Sequence, residues 1–124
     1  MSRRILNVDD DPMIRNLVRT ILEASEFEVL SAEDGQNAFD LLEKEVKPID
    51  LRCIILDVNM PGMSGFDVLT RLKLHSDTQN IPVIMLTCQS STDDFMNGYN
   101  IGAEYYITKP FTREQLLYGI NLVS

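Results

Sequence analysis

Five residues along this chain carry chemistry. Asp9 and Asp10 follow a mostly apolar run at 4–8. Asp57 follows a second run at 51–56, Thr87 a third at 82–86, and Lys109 a fourth at 105–108. Each residue alone has an ordinary explanation. An Asp after a strand caps a helix, a Thr there caps or turns, and a Lys beside a Pro is solvated. If the runs are parallel strands, however, all five residues share one sheet edge. Adjacent strands lie about 4.8 Å apart, so the three carboxylates would repel one another. Clustered carboxylates either take up protons or bind a cation. Oxygen ligands favour a hard ion such as Mg²⁺, with Mn²⁺ able to substitute. A metal, an ammonium and a hydroxyl around one carboxylate are the parts of phosphoryl transfer. The cations neutralise phosphoryl oxygens while the carboxylate attacks and becomes an acyl phosphate.

The elements that must position these residues alternate strand and helix five times. The first strand is 4–8. Asp11 then caps a helix with Pro12 at its first position, and Ile14, Leu17, Val18, Ile21 and Leu22 follow helical spacing. A second strand at 27–31 is followed by a turn at Asp34-Gly35 and a helix with Ala38, Leu41 and Leu42 inward. The third strand, 51–56, contains Cys53-Ile54-Ile55-Leu56, a run without alternation, as in a strand covered on both faces. A loop at 59–65 precedes a helix carrying Phe66, Leu69 and Leu72. The fourth strand is 82–86. Ser91-Thr92-Asp93-Asp94 resembles a capping box for a helix with Phe95, Met96 and Tyr99. The fifth strand is 105–108. Thr112-Arg113-Glu114-Gln115 is a second capping box, with Phe111 and Leu116 as its hydrophobic staple, before a helix with Leu116, Leu117 and Ile120. Five such units predict an α/β fold, a doubly wound parallel sheet with helices on both faces. Ligands bind such sheets beyond the carboxyl ends of the strands.

Composition narrows the function classes. The 124 residues suit one domain spanning 1–124. The 11 Lys and Arg against 19 Asp and Glu give a net charge of −8, which argues against direct nucleic-acid or anionic-membrane binding. No apolar run is long enough to span a membrane and no leader is evident, so a cytoplasmic protein is expected. Cys53 and Cys88 fit a reducing compartment, with Cys53 acting as a small hydrophobe.

Four segments together resemble the receiver domain of bacterial two-component response regulators: Ile5-Leu6-Asn7-Val8-Asp9-Asp10-Asp11-Pro12; Ile55-Leu56-Asp57-Val58-Asn59-Met60-Pro61-Gly62-Met63-Ser64-Gly65; Leu86-Thr87; and Tyr106-Ile107-Thr108-Lys109-Pro110-Phe111. The resemblance covers essentially the whole chain, in order. It implies a flavodoxin-like receiver fold with five helices and sheet order 2-1-3-4-5. It also implies that Asp57 is the phosphoacceptor. Asp10 is then a direct metal ligand, Asp9 helps hold the ion through water, and the Asn59 main-chain carbonyl is a further ligand. Lys109 pairs with Asp57 and then with a phosphoryl oxygen. Thr87 donates its hydroxyl to the phosphoryl group, Tyr106 changes rotamer as Thr87 moves, and the Lys109-Pro110 bond is cis.

Three residues depart from the family pattern. Asn7 stands where an aliphatic residue is usual, and a buried amide needs partners. Cys88 replaces Ala or Ser. Tyr105 stands where many regulators that dimerise through the fourth helix, fifth strand and fifth helix carry Asp, and the last helix lacks their basic residues. A monomer or weak dimer is therefore expected.

The resemblance implies a phosphorylation-operated switch, self-modifying rather than an enzyme on external substrates. Its donor is a sensor histidine kinase or phosphotransfer protein, and its output partner is unnamed. His75 falls near the end of the third helix, away from the acidic edge, and does not supply the phosphoryl group. The rival readings are a Mg²⁺-dependent phosphatase, a flavin- or nucleotide-binding module and a degenerate docking receiver. The first lacks a second carboxylate two residues after Asp57, the second lacks a phosphate loop after the first strand, and the third has no need of a complete site. The last helix ends with the sequence, so the chain is either a stand-alone receiver or an excised one.

Overall fold

The computed structural model describes residues 2–88 and 92–124, the latter with side chains from 96 onward. Strands β1 (Arg4–Val8), β2 (Glu28–Ala32), β3 (Cys53–Asp57), β4 (Val83–Thr87) and β5 (Tyr105–Thr108) alternate with helices α1 (Pro12–Ala24), α2 (Gly35–Glu43), α3 (Gly65–Leu74), α4 (Thr92–Ile101) and α5 (Arg113–Val123). All strand pairs are parallel, in the order β2-β1-β3-β4-β5.

Strand alternation divides the core into two layers. Leu6, Val8, Ile54, Leu56, Val83 and Met85 face Ala38, Leu42, Val68, Leu69 and Leu72 of α2 and α3. Ile5, Cys53, Ile55, Ile84, Leu86 and Ile107 face Val18 and Leu22 of α1 and Leu116 and Ile120 of α5. Because β3 and β4 are covered on both sides, every residue in them is buried. This is why the sequence shows continuous apolar runs there rather than alternation.

The helix starts follow their caps. The Asp11 carboxylate accepts the Met13 N–H, and Asp34 accepts the Asn37 N–H. Ser64 with Asp67, and Thr112 with Gln115, form reciprocal capping boxes. The box read at 91–94 lies outside the described residues. β2, β3 and β4 each end one residue later than the apolar runs suggest. For β3 and β4, hydropathy stops at a polar side chain, whereas backbone pairing does not: Asp57 pairs with Leu86, and Thr87 with Thr108. In β2 the ladder carries on past Ser31 to Ala32, which pairs with Val8. Asp57 and Thr87 are thus the last residues of their strands, held by the ladder itself.

Candidate functional site

The carboxyl ends of β1, β3, β4 and β5 form one edge, and the polar residues singled out by sequence lie along it or just below it. Asp9 is the residue after β1. Its N–H donates to the Ala32 carbonyl at 3.1 Å, fixing the backbone. Its Oδ1 accepts the Asp11 N–H at 2.9 Å, and its carbonyl accepts the Arg15 guanidinium at 2.7 Å. Fully buried, it leaves Oδ2 for the Lys109 ammonium at 3.1 Å. The same ammonium donates to Asp57 Oδ1, also at 3.1 Å. Asp10 is exposed beside them. One oxygen from each of Asp9, Asp10 and Asp57 lies within 4.8 Å of the others.

Burial raises the Asp57 pKa from 3.8 to about 6, the Asp9 charge pushes in the same direction, and Lys109 opposes both. Burial alone would lower Lys109, but Asp9 and Asp57 outweigh it and hold the ammonium above its ordinary value. The cluster therefore carries three carboxylates against one ammonium in a largely buried setting. Such a donor set fits a hard divalent cation: all its ligand atoms are oxygen, its charge is unbalanced, and Asp57 is short of positive partners. Asn59 lies exposed in the loop two residues past Asp57, on the same edge.

Thr87 and Tyr106 stand on the opposite side of the sheet from the Asp57 side chain. Asp57 shares the parity of Cys53 and Ile55, toward α1 and α5. Thr87 shares that of Met85, and Tyr106 joins the α2–α3 layer. Because Thr87 is the final residue of β4, it is buried yet still stands at the acidic edge. Its carbonyl accepts the Lys109 N–H at 2.7 Å, which ties the loop after β5 to the end of β4. The Lys109-Pro110 bond is cis, as the resemblance implied, and Lys47-Pro48 is cis as well.

Gly65 is a residue that the side-chain chemistry alone did not single out. Its N–H donates to the Val58 carbonyl at 2.9 Å. A Cβ there would stand 2.2 Å from the Asp57 carbonyl oxygen and 2.7 Å from the Val58 Cα. Only glycine lets α3 begin directly against the end of β3. The signal in sequence was its place in the 55–65 segment.

Residues 5–121 match the family described as the response regulator receiver domain. This chain belongs to that family. The receiver is 39% identical over 123 residues to the phosphate regulon transcriptional regulatory protein PhoB of Escherichia coli, covering 99% of this chain and 52% of that protein. It is 38% identical over 121 residues to the transcriptional regulatory protein SrrA of Staphylococcus aureus, covering 98% of this chain and 47% of that one. The chain thus spans about half the length of these curated relatives. Among solved structures, the chemotaxis protein CheY4 of Vibrio cholerae matches over 100% of both chains with a TM-score of 0.91 and 33% identity. Among the described residues of this receiver, no helix is long and apolar enough to cross a membrane.

The departures from the family pattern have structural counterparts. Asn7 is wholly buried, and neither amide atom has a hydrogen-bond partner among the described residues. Cys53 is buried, and burial pushes its thiol up to about 12, as suits an inert core residue. Cys88 is exposed. Tyr105 packs obliquely on Tyr118, with ring centres 6.3 Å apart.

Proposed function

We propose that this chain is the phosphoacceptor of a two-component phosphorelay, forming a single receiver domain over residues 1–124 and acting in the cytoplasm. Asp57 takes a phosphoryl group from a phosphohistidine on a sensor histidine kinase or phosphotransfer protein. The observation that carries this reading is the Lys109 ammonium, 3.1 Å from both Asp9 and Asp57 in a cluster of three carboxylates. It supplies the positive charge that an attacking carboxylate and an incoming phosphoryl group both need.

Asp57 forms an oxygen–phosphorus bond while the donor's phosphorus–nitrogen bond breaks and its electron pair stays on the imidazole. Asp9 holds Lys109 in place through the transfer. Lys109 then shifts its hydrogen bond from the Asp57 carboxylate to a phosphoryl oxygen, and Thr87 donates its hydroxyl to another. Asp10, Asp57 and the Asn59 main-chain carbonyl would hold Mg²⁺ (or Mn²⁺), with Asp9 contributing through water. When bound, that cation supplies charge neutralisation for the phosphoryl oxygens. Hydrolysis of the acyl phosphate by the same site resets the domain.

Thr87 and Tyr106, on the far face of the sheet, carry the change to α4, β5 and α5. That surface signals to an output partner, and the domain acts as a monomer or weak dimer without contacting nucleic acid itself. The alternative, a Mg²⁺-dependent phosphatase for external substrates, would want a second carboxylate where Asn59 stands. The decisive experiment is mass spectrometry after incubation with acetyl phosphate and Mg²⁺. Wild type is expected to gain one phosphoryl group, and Asp57→Asn none. Full labelling of the variant at another residue would overturn the assignment.

A further inference from the structure

Gly98 lies within α4, where glycine is a poor helix former compared with alanine. Its φ is not positive, so backbone conformation does not require it. Contact does. A Cβ on residue 98 would stand 1.6 Å from the Tyr106 hydroxyl oxygen, 2.4 Å from Cζ and 2.7 Å from Cε2. No side chain coexists with the tyrosine in this place. Tyr106 is only 9% exposed and belongs to the layer between the sheet and α2–α3. Tyr99 of α4 lies edge-on to its ring, with centres 5.1 Å apart. The phenol therefore sits in a slot whose floor is the bare Cα of Gly98.

The two partners differ in how they can yield. The Gly98 carbonyl accepts the N–H groups of Gly102 and Ala103 at 3.0 and 2.9 Å, which pins the end of the helix. The phenol is the far end of a side chain that turns about two bonds. Adding a methyl group at 98 should move the ring and leave the helix in place.

We propose that Gly98 is the positioning residue of the switch. It provides the seat for the buried Tyr106 phenol, and any side chain at 98 drives the ring out to the α4–β5 surface. This rests on the switch role assigned to Tyr106 above. It adds that residue 98 sets how much of the population keeps the ring buried, without touching the acidic edge.

Tyrosine labelled with ¹³C in the ring tests this, because the chain has four tyrosines and no tryptophan. Relaxation by a soluble gadolinium chelate reports the exposure of each ring, and Tyr118, 60% exposed, serves as the reference. In unloaded wild type, Tyr106 should be protected relative to Tyr118. In Gly98→Ala, that protection should be lost while the Tyr118 reference is unchanged; Tyr99, whose ring lies 5.1 Å from that of Tyr106, should change with it. A folded Gly98→Ala protein in which Tyr106 stays protected overturns the proposal. Should Gly98→Ala not fold, the double variant Gly98→Ala/Tyr106→Ala decides. It supports the seat if it melts no lower than Tyr106→Ala, and overturns it if it too is unfolded. Adding acetyl phosphate and Mg²⁺ should change Tyr106 exposure in wild type but not in Gly98→Ala. A loaded wild type whose Tyr106 does not move overturns the switch reading itself. That failure is separable, because the seat is read in the unloaded protein.

Discussion

Raising the pH of the cation-free protein should weaken its fold, and Asp57 is the reason. The folded chain holds the Asp57 proton up to about pH 6, whereas an unfolded aspartate releases it near 3.8. Between these values the folded state binds more protons than the unfolded one, so stability falls as pH rises. The rise from 3.8 to about 6 corresponds to about 3 kcal/mol. About 2 kcal/mol of that lies between pH 4.5 and 7.5, since part of the loss occurs below that range. Lys109, held above its ordinary value, stays charged throughout and adds no slope here. The assay is urea unfolding followed by circular dichroism, in a chelator, for wild type and Asp57→Asn. Taking the difference between the two cancels the titrating groups that do not touch Asp57. Wild type minus variant should fall by about 2 kcal/mol from pH 4.5 to 7.5 and flatten above. Saturating Mg²⁺ should restore the loss in wild type, because a cation that binds only the folded, ionised site stabilises it by about 2.7 kcal/mol at a hundredfold excess over its Kd. A difference that is flat, or that grows with pH, would refute the view of Asp57 as a carboxylate ionised at a cost.

Other substitutions probe the supports. Asn7→Val should stabilise the protein by about 2 kcal/mol in urea unfolding, because it removes a buried amide with no partner among the described residues and keeps similar volume; a loss of stability would show that the amide is satisfied in solution. Gly65→Ala should cost about 2 kcal/mol or more, since its Cβ meets backbone at 2.2 Å rather than a side chain. The same variant should bind Mg²⁺ more weakly by calorimetry, because the end of β3 must shift. Lys109→Met should destabilise the cation-free domain by about 3 kcal/mol at neutral pH, by leaving two buried carboxylates without their shared ammonium. Added Mg²⁺ should return most of that stability, read from the same unfolding curves.

Much of the architecture was legible because each layer leaves a trace in the chain. Continuous apolar runs at β3 and β4 announced strands buried on both faces, and capping residues marked helix starts at Asp11 and Thr112, whereas the caps Asp34 and Ser64 read only as parts of a turn and a loop. Strand limits were less legible. Phe27 reads as the start of β2, yet its N–H still bonds back to the Leu22 carbonyl at 3.0 Å, so the strand begins one residue later. The site residues were visible by type, and parallel strands placed them on one edge. Of the two hydrogen bonds made by the Lys109 ammonium, the one to Asp57 was implied by the resemblance, but the one to Asp9 was not visible, because that partner lies 100 residues away and its distance depends on strand order and register. The seats provided by Gly65 and Gly98 were hidden for another reason. A glycine in a sequence records only that a side chain is missing, and the group that needs the space is named only by the fold.

Under the proposed function, chemistry and readout lie on opposite faces of the sheet, and the structure offers a route by which a change at one carboxylate could reach a distant surface. Asp57 and Asp9 lie on the α1–α5 side, Tyr106 on the other, and a rigid sheet lies between. The end of β4 offers a crossing point. Thr87 has the parity of the Tyr106 face but stands at the acidic edge, and its carbonyl takes the Lys109 N–H at 2.7 Å. Lys109 is therefore tied by its backbone to Thr87 and by its ammonium to Asp9 and Asp57. A phosphoryl group on Asp57 would draw both the ammonium and the Thr87 hydroxyl toward itself, and the packing beside Thr87 would have to adjust. The group beyond it that can respond is the Tyr106 ring, which lies buried on that face only because its neighbour in α4 is a glycine. With an alanine at 98 the same pull would act on a ring already displaced, and the signal would end at β4.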